Sequence, residues 1–190
     1  VRCKEAQGIS ILGFEKRGFN TFVSPVGGRS FAKVPCLQCG QCVNVCPVGA
    51  LFEQREIELI DKAKAAGKYL VVQTAPAVRA ALAEEFGHKI GELNAEGKMV
   101  AALHRLGFDR VYDTNFGADL TIMEEAQELV NRITKGSGVL PQITSCSPGW
   151  INYMEYFYPE LIPHVSTCKS PHEMEGAIIK SYFAKAHNID

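Results

Sequence analysis

The sequence lacks long apolar runs, blocks of like charge and internal repeats. No stretch approaches the roughly 20 consecutive apolar residues that a membrane-spanning helix needs, so we expect no membrane span. Twenty Lys and Arg residues balance 21 Asp and Glu residues, and the net charge is −1 at pH 7. Because no basic block stands out, we expect no binding to nucleic acid. No secretory signal peptide is visible.

The seven cysteines are an odd number, and four of them lie in one short motif. Secreted disulfide frameworks use paired cysteines, whereas a reducing compartment leaves thiols free to bind metals. We therefore expect a cytoplasmic protein that carries metal clusters. The five histidines give no comparable signal, because none has metal-ligand spacing to another histidine or to a cysteine.

The motif CLQCGQCVNVCP has the spacing C-x2-C-x2-C-x3-C-P. In this pattern Cys36, Cys39 and Cys42 bind one [4Fe–4S] cluster, and Cys46, followed by Pro47, binds a different one. The alternative is a zinc site, but zinc sites tend to place two C-x2-C pairs well apart. The motif therefore favours two iron–sulfur clusters.

Cys3 is the cysteine that precedes this motif. If it is the last cysteine of an earlier motif of the same kind, it completes the cluster of Cys36, Cys39 and Cys42. The alternative is a free thiol. On the first interpretation the other ligands of the Cys46 cluster lie before Val1, and we expect the chain to be a fragment cut at both ends.

The pattern of the chain changes near Glu53. Residues 1–52 are rich in Gly, Pro and Cys, with short β-prone pieces at Ile9–Phe14 and Phe19–Val23. From residue 53 apolar periodicity and Gly or Pro boundaries predict alternating helices and strands. The predicted helices are 53–66, 77–86, 96–106, 118–133, 151–158 and 171–186, and the predicted strands are 68–74, 111–114 and 139–144.

Such alternation predicts an α/β fold in which helices flank a mainly parallel sheet. We expect it in domain 53–190, preceded by a small α+β iron–sulfur domain at 1–52. Ligands in parallel sheets gather beyond the carboxyl ends of the strands. Those ends read TAPAV (74–78), TNFGAD (114–119) and TSCSPGW (144–150). Cys146 in the third is a candidate metal ligand.

Several segments together resemble the [FeFe]-hydrogenases. TSCSPGW, with FGADLTIMEEAQELVNR before it and CKSPHEM after it, is similar to the family's first signature region. CLQCGQCVNVCPVGAL resembles the family's ferredoxin-like domain, and TAPAVRA resembles the stretch that lines its active-site cavity. The resemblance implies reversible reduction of protons to H2 at an H-cluster, a [4Fe–4S] cube joined to a two-iron unit.

The resemblance also implies partners and site residues. Electrons would come from a ferredoxin or similar carrier through the [4Fe–4S] clusters, and maturation proteins would supply the H-cluster. The cofactor-lining positions that match are Ala75, Pro76, Ala77, Ser147 and Pro148. The positions that match the family's proton route are Glu125, Glu128, Arg132, Ser166 and Cys146.

One position departs from the family pattern, which has two adjacent cysteines in TSCCPGW. In strict register Cys146 is the proton-relay thiol, and Ser147 replaces the cysteine that binds the cube. Serine oxygen is a poor ligand for iron–sulfur iron. The residues leave three alternatives: Cys146 is the ligand, Ser147 coordinates weakly, or the function is altered.

The family's second and third signature regions would lie beyond Asp190. We therefore expect residues 1–190 alone to have no hydrogenase activity. Two alternatives remain for the whole protein. It could be an iron–sulfur electron-transfer module, or a hydrogen-sensing or assembly relative that has no turnover.

Overall fold

The structure is a computed structural model that describes residues 2–189. The strands are β1 (Leu12–Glu15), β2 (Phe22–Pro25), β3 (Val71–Thr74) and β4 (Arg110–Asp113). The helices are α1 (Arg2–Glu5), α2 (Gln41–Asn44), α3 (Ile57–Ala65), α4 (Pro76–Glu85), α5 (Glu96–Arg105), α6 (Asn115–Lys135), α7 (Pro148–Phe157), α8 (Pro171–Ile178) and α9 (Ala184–Ala186).

These elements form two compact units. Unit 1 contains the N-terminal segment up to Gln54 together with Gly138–Val165. Unit 2 contains Arg55–Ser137 and the segment that begins at Ser166. The TSCSPGW segment and α7 therefore fold with the cysteine-rich segment, while most of the αβ alternation lies in unit 2.

Unit 1 is built on an antiparallel hairpin and on α7. Strands β1 and β2 pair from Leu12 opposite Pro25 to Glu15 opposite Phe22. A carboxylate oxygen of Glu15 accepts the N–H of Gly27 at 2.8 Å, which fixes the chain just after the hairpin. The predicted β-prone pieces are thus confirmed as strands, each shifted a few residues toward the C-terminus.

Unit 2 contains a two-stranded parallel sheet. Val71 pairs with Arg110 and Thr74 with Asp113, and α4 and α5 form the crossover between the strands. The carboxylate of Asp109 accepts the N–H of Leu70 at 2.6 Å, which fixes the register at the start of both strands. The parallel pairing that the sequence predicts is confirmed for these two strands.

Helices α6 and α8 cross closely in unit 2. Gly117 of α6 is buried there, and a Cβ atom at this position would lie 2.3 Å from the carbonyl oxygen of Pro171. Only glycine allows this approach. The hydroxyl of Thr121, one turn further along α6, contacts the sulfur of Met174 at 3.0 Å.

The third predicted strand, 139–144, is wrong. That segment contributes one isolated parallel bridge, between Ile143 and Val165, and the N–H of Ile143 donates to the carbonyl of His164. Pro141 interrupts the ladder because it has no N–H to donate. The helix predicted over 171–186 is also divided, since Ile179–Phe183 adopts π-helical geometry between α8 and α9.

None of the helices between residues 2 and 189 combines the length and the apolar character that a membrane crossing requires.

Candidate functional site

Four cysteines line one cavity of about 510 Å³ in unit 1. They are the four cysteines that the sequence motif assigns to one cluster: Cys3, Cys36, Cys39 and Cys42. Apolar side chains complete the wall, including Ile9, Ile11, Leu12, Leu37 and Phe31. The cavity combines four thiol groups with mainly apolar side chains, and Cys39 is exposed.

The loop before α2 gives the cavity its shape. Gln38 and Gly40 both have positive φ, at 55° and 70°, in the irregular segment between Cys36 and α2. The N–H of Gln38 lies 3.4 Å from the Sγ of Cys36, at the distance of an N–H···S hydrogen bond. Burial raises the pKa of the Cys42 thiol.

The donor set fits a [4Fe–4S] cluster. Such a cluster has four irons that each take one cysteine thiolate, and the four thiols that line this cavity match that number.

Cys46 lies apart from the residues that line this cavity. Backbone N–H groups, first that of Leu51 and then that of Val48, lower the pKa of the Cys46 thiol. A ring of N–H donors of this kind stabilises a thiolate, the form that binds iron. Its surroundings therefore suit a metal ligand.

A hydrogen-bonded carboxylate in unit 2 joins three of the predicted proton-route residues. Oε1 of Glu128 accepts from Arg132 Nη2 at 2.6 Å, and Oε2 accepts from the Ser166 hydroxyl at 2.8 Å. The N–H of Thr167 donates to the same carboxylate at 3.1 Å. Ser166 is buried, and the Arg132 and Glu128 side chains are 5% and 17% exposed. Glu125, one turn earlier on α6, is half-buried.

The Glu128 carboxylate is held in its charged form. Burial alone would raise its pKa, but hydrogen bonds from Arg132, Ser166 and Thr167 outweigh burial and hold the pKa below its ordinary value. The Ser166 hydroxyl also accepts the N–H of Cys168 at 3.1 Å, so its hydrogen points toward Glu128. The pair thus has the geometry for passing a proton between a hydroxyl and a carboxylate.

Cys146 and Ser147 of the TSCSPGW motif have different surroundings. Cys146 and Ser147 are both exposed and immediately precede α7. The Ser147 hydroxyl accepts the N–H of Trp150 at 3.4 Å and forms the N-cap of α7, with Pro148 at the first helical position. Serine is a preferred N-cap residue, so Ser147 has a structural role that is independent of any metal.

The segment Ala75, Pro76 and Ala77 lies in unit 2, exposed, where β3 ends and α4 begins. At the end of β4, Asp113 pairs with Arg79 of α4, which also donates to Glu96 at 3.0 Å. The hydrogen bond from Arg79 lowers the pKa of Asp113, and the two ion pairs connect the end of β4 to α4 and α5.

The sequence did not reveal two residues near these groups. Thr167 binds Glu128 through its backbone N–H, which any residue type would supply, so only its place beside Ser166 was a signal. Glu175 of α8 is a buried carboxyl, 2% exposed, and Oε2 has no hydrogen-bond partner. It lies in a segment whose apolar periodicity predicted only a helix.

Two family models match the chain. The model described as iron only hydrogenase large subunit, C-terminal domain, matches residues 68–190. The model described as 4Fe-4S binding domain matches residues 35–52, the segment that contains Cys36, Cys39, Cys42 and Cys46.

Curated relatives agree with these matches. The NADP-reducing hydrogenase subunit HndD of Solidesulfovibrio fructosivorans is 46% identical over 96% of this chain and 32% of its own length. The periplasmic [Fe] hydrogenase large subunit of Nitratidesulfovibrio vulgaris is 49% identical over 82% of this chain and 45% of its own length. The chain therefore spans less than half of either relative.

A solved structure and a more distant relative are also similar to this chain. An apo [FeFe]-hydrogenase HydA1 from Chlamydomonas reinhardtii, variant C377H, superposes with a TM-score of 0.60 at 52% identity, over 64% of this chain and 30% of that one. Cytosolic iron-sulfur assembly component 3 of Bos taurus is 29% identical over 98% of this chain and 42% of its own length.

Proposed function

The chain belongs to the iron-only hydrogenase large-subunit family, and from this membership we propose that it is part of an enzyme that reversibly reduces protons to H2. The observation that carries the proposal is the cavity that is lined by Cys3, Cys36, Cys39 and Cys42. A protein that exchanges electrons with a carrier needs such a relay site, and the family match supports the reaction.

We assign the residues as follows. Residues 1–52 form the ferredoxin-like iron–sulfur domain, and residues 53–190 begin the catalytic domain. Cys3, Cys36, Cys39 and Cys42 hold one [4Fe–4S] cluster, and Cys46 is a ligand of a second. These clusters receive electrons from a ferredoxin or similar carrier in the cytoplasm.

The H-cluster, when bound, supplies the site at which protons and electrons combine. This chain's own residues would surround it and deliver protons. Ala75, Pro76, Ala77 and Pro148 would line it with small or rigid side chains. The Ser166 hydroxyl and the Glu128 carboxylate would pass protons, with Glu125 as a further carboxylate on the same helix and Arg132 fixing Glu128. Cys146 would contact the H-cluster through its thiol.

The test is made on the full-length protein, expressed together with the H-cluster maturation proteins. We expect infrared bands from iron-bound CO and cyanide, together with H2 uptake and evolution when a viologen dye serves as the electron carrier. Bands without turnover would indicate a sensing relative, and iron–sulfur clusters without bands would indicate an electron-transfer or assembly protein. Residues 1–190 alone should show no H2 evolution, since further H-cluster ligands lie in the family's later signature regions.

A further inference from the structure

Helix α7 contacts the loop that carries Cys36, and both belong to unit 1. The Tyr156 hydroxyl near the end of α7 donates a hydrogen bond to the carbonyl of Val34 at 3.3 Å. Near the start of the same helix, a Cβ atom on Gly149 would lie 3.5 Å from the carbonyl oxygen of Leu37. Positions 149 and 156 are seven residues apart and therefore lie on one face of the helix.

The Val34 carbonyl is directly connected to Cys36. It also accepts the N–H of Cys36 at 2.6 Å, so one oxygen receives both the tyrosine hydroxyl and the amide of the ligand residue. Val34 and Leu37, on either side of Cys36, are 8% exposed, so the backbone of the loop is anchored by packing as well as by hydrogen bonds.

We propose that Tyr156 is a positioning residue for the accessory [4Fe–4S] cluster: its hydroxyl holds the Cys36 loop through Val34 and thereby fixes the Cys36 ligand. The inference rests on the proposed function only in assigning a cluster to the four-cysteine cavity. Groups that orient a metal ligand affect how tightly the metal is held, and a rigid ligand loop slows the loss of iron.

Tyr156 is 50% exposed and lies beside a cluster of aromatic rings on α7. Its ring lies 6.5 Å from that of Phe157, which contacts Tyr153 at 5.0 Å, and Tyr153 contacts Tyr158 at 5.7 Å. Tyr158 belongs to this cluster of rings and is hydrogen-bonded to Tyr153. It is therefore a matched control, because Tyr158→Phe removes a hydroxyl from the same cluster and leaves the Val34 bond intact.

The experiment compares Tyr156→Phe and Tyr158→Phe in the full-length protein with its iron–sulfur clusters loaded. We expect Tyr156→Phe to shift the midpoint potential of one cluster in an EPR-monitored titration and to change its g-values, because the Cys36 ligand is held less rigidly. Iron release to a chelator should be about two- to tenfold faster, as expected for the loss of one hydrogen bond. Tyr158→Phe should leave all three readouts at wild-type values.

Two outcomes would overturn the inference. One is a Tyr156→Phe protein whose potential, g-values and iron release equal those of the wild type. The other is an equal change in Tyr158→Phe, which would indicate general loosening of α7. None of the readouts requires H2 turnover. A protein that holds the cluster but evolves no H2 would therefore contradict the proposed function and leave the role of Tyr156 intact.

Discussion

The Ser166 hydroxyl and the Glu128 carboxylate form a hydrogen bond of 2.8 Å between a buried donor and a largely buried acceptor. The N–H of Cys168 donates to the serine oxygen, so the serine hydrogen is directed at the carboxylate. A proton that leaves the hydroxyl toward Glu128 has to be replaced from the other side. This is the arrangement that the proposed relay step requires.

Ser166→Ala should therefore slow H2 evolution by the full-length enzyme. General acid–base groups contribute about 100-fold or more, and a bridging water can replace part of a lost hydroxyl, so we expect at least a tenfold loss. Infrared bands of the H-cluster should remain unchanged, and Ser166→Thr should recover activity. Ser181→Ala is the control, because Ser181 donates only to the Ala177 carbonyl of its own helix. Wild-type activity in Ser166→Ala would remove Ser166 from the proton route.

The sequence predicted this site better than it predicted the sheet. Glu128 and Arg132 are four residues apart, so a helical period brings them together, and the structure confirms the pair. Ser166 was assigned through the resemblance, since no local pattern links it to residue 128. Thr167 could not be found, because its strongest contact is made by the backbone.

The prediction of a third strand at 139–144 was wrong for a different reason. An apolar run such as residues 139–144 predicts a strand only if a neighbouring strand offers a ladder, and that neighbour is invisible to local periodicity. Here Ile143 finds a single partner at Val165, and Pro141 cannot donate a hydrogen bond. Helices α4 and α5 were predicted to within one residue at each end because their boundary signals, Pro76 and Gly107, lie within the chain itself.

Glu175 should make stability depend on pH in a direction opposite to that of most carboxylates. Burial, followed by the charge of Asp113, raises the pKa of Glu175 above its ordinary 4.5, while the Thr114 hydroxyl lowers it less. The folded state thus holds the proton more tightly than the unfolded state does. The stabilising contribution is complete below about pH 4.5 and is lost as the pH rises through the folded-state pKa.

Glu175→Gln removes this titration and keeps the side chain's size. Between pH 5 and pH 8 we expect the urea midpoint of the variant to fall less than that of the wild type. Glu173→Gln on the same helix is the control, since Glu173 is exposed. An identical pH profile for wild type and Glu175→Gln would show that the buried carboxyl does not change protonation on folding.

Gly117 should be intolerant of a methyl group. A Cβ atom there would lie 2.3 Å from the Pro171 carbonyl oxygen and 2.9 Å from the Cβ of Glu175, so α6 and α8 would have to separate. Overpacking of this kind costs about 1–3 kcal/mol of unfolding free energy. Gly97 of α5 is the matched position, with open space around its Cβ, and Gly97→Ala should instead stabilise the protein by up to about 1 kcal/mol. Equal effects in a thermal or urea unfolding experiment would contradict the close crossing.

Substitutions can distinguish the roles of Cys146 and Ser147, because the Ser147 side chain caps α7 and the Cys146 side chain does not. Ser147→Ala removes the N-cap of α7 and should cost about 1 kcal/mol of stability. It should still retain the infrared bands of the H-cluster in the full-length protein. Cys146→Ala has no cap to lose, and we expect it to lower H2 evolution by about 100-fold or more if its thiol passes protons or binds iron.

The infrared bands then distinguish the two roles of Cys146. A thiol that binds the cube is needed for the cofactor to be held, so Cys146→Ala would lose the CO and cyanide bands. A thiol that only passes protons is not needed to hold the cofactor, so the bands would persist while turnover stops. Loss of the bands in Ser147→Ala, with bands retained in Cys146→Ala, would show that the serine oxygen binds iron despite its hydrogen bond to Trp150. Ser147→Cys would in that case increase the iron content of the purified protein, because a thiolate is the softer ligand.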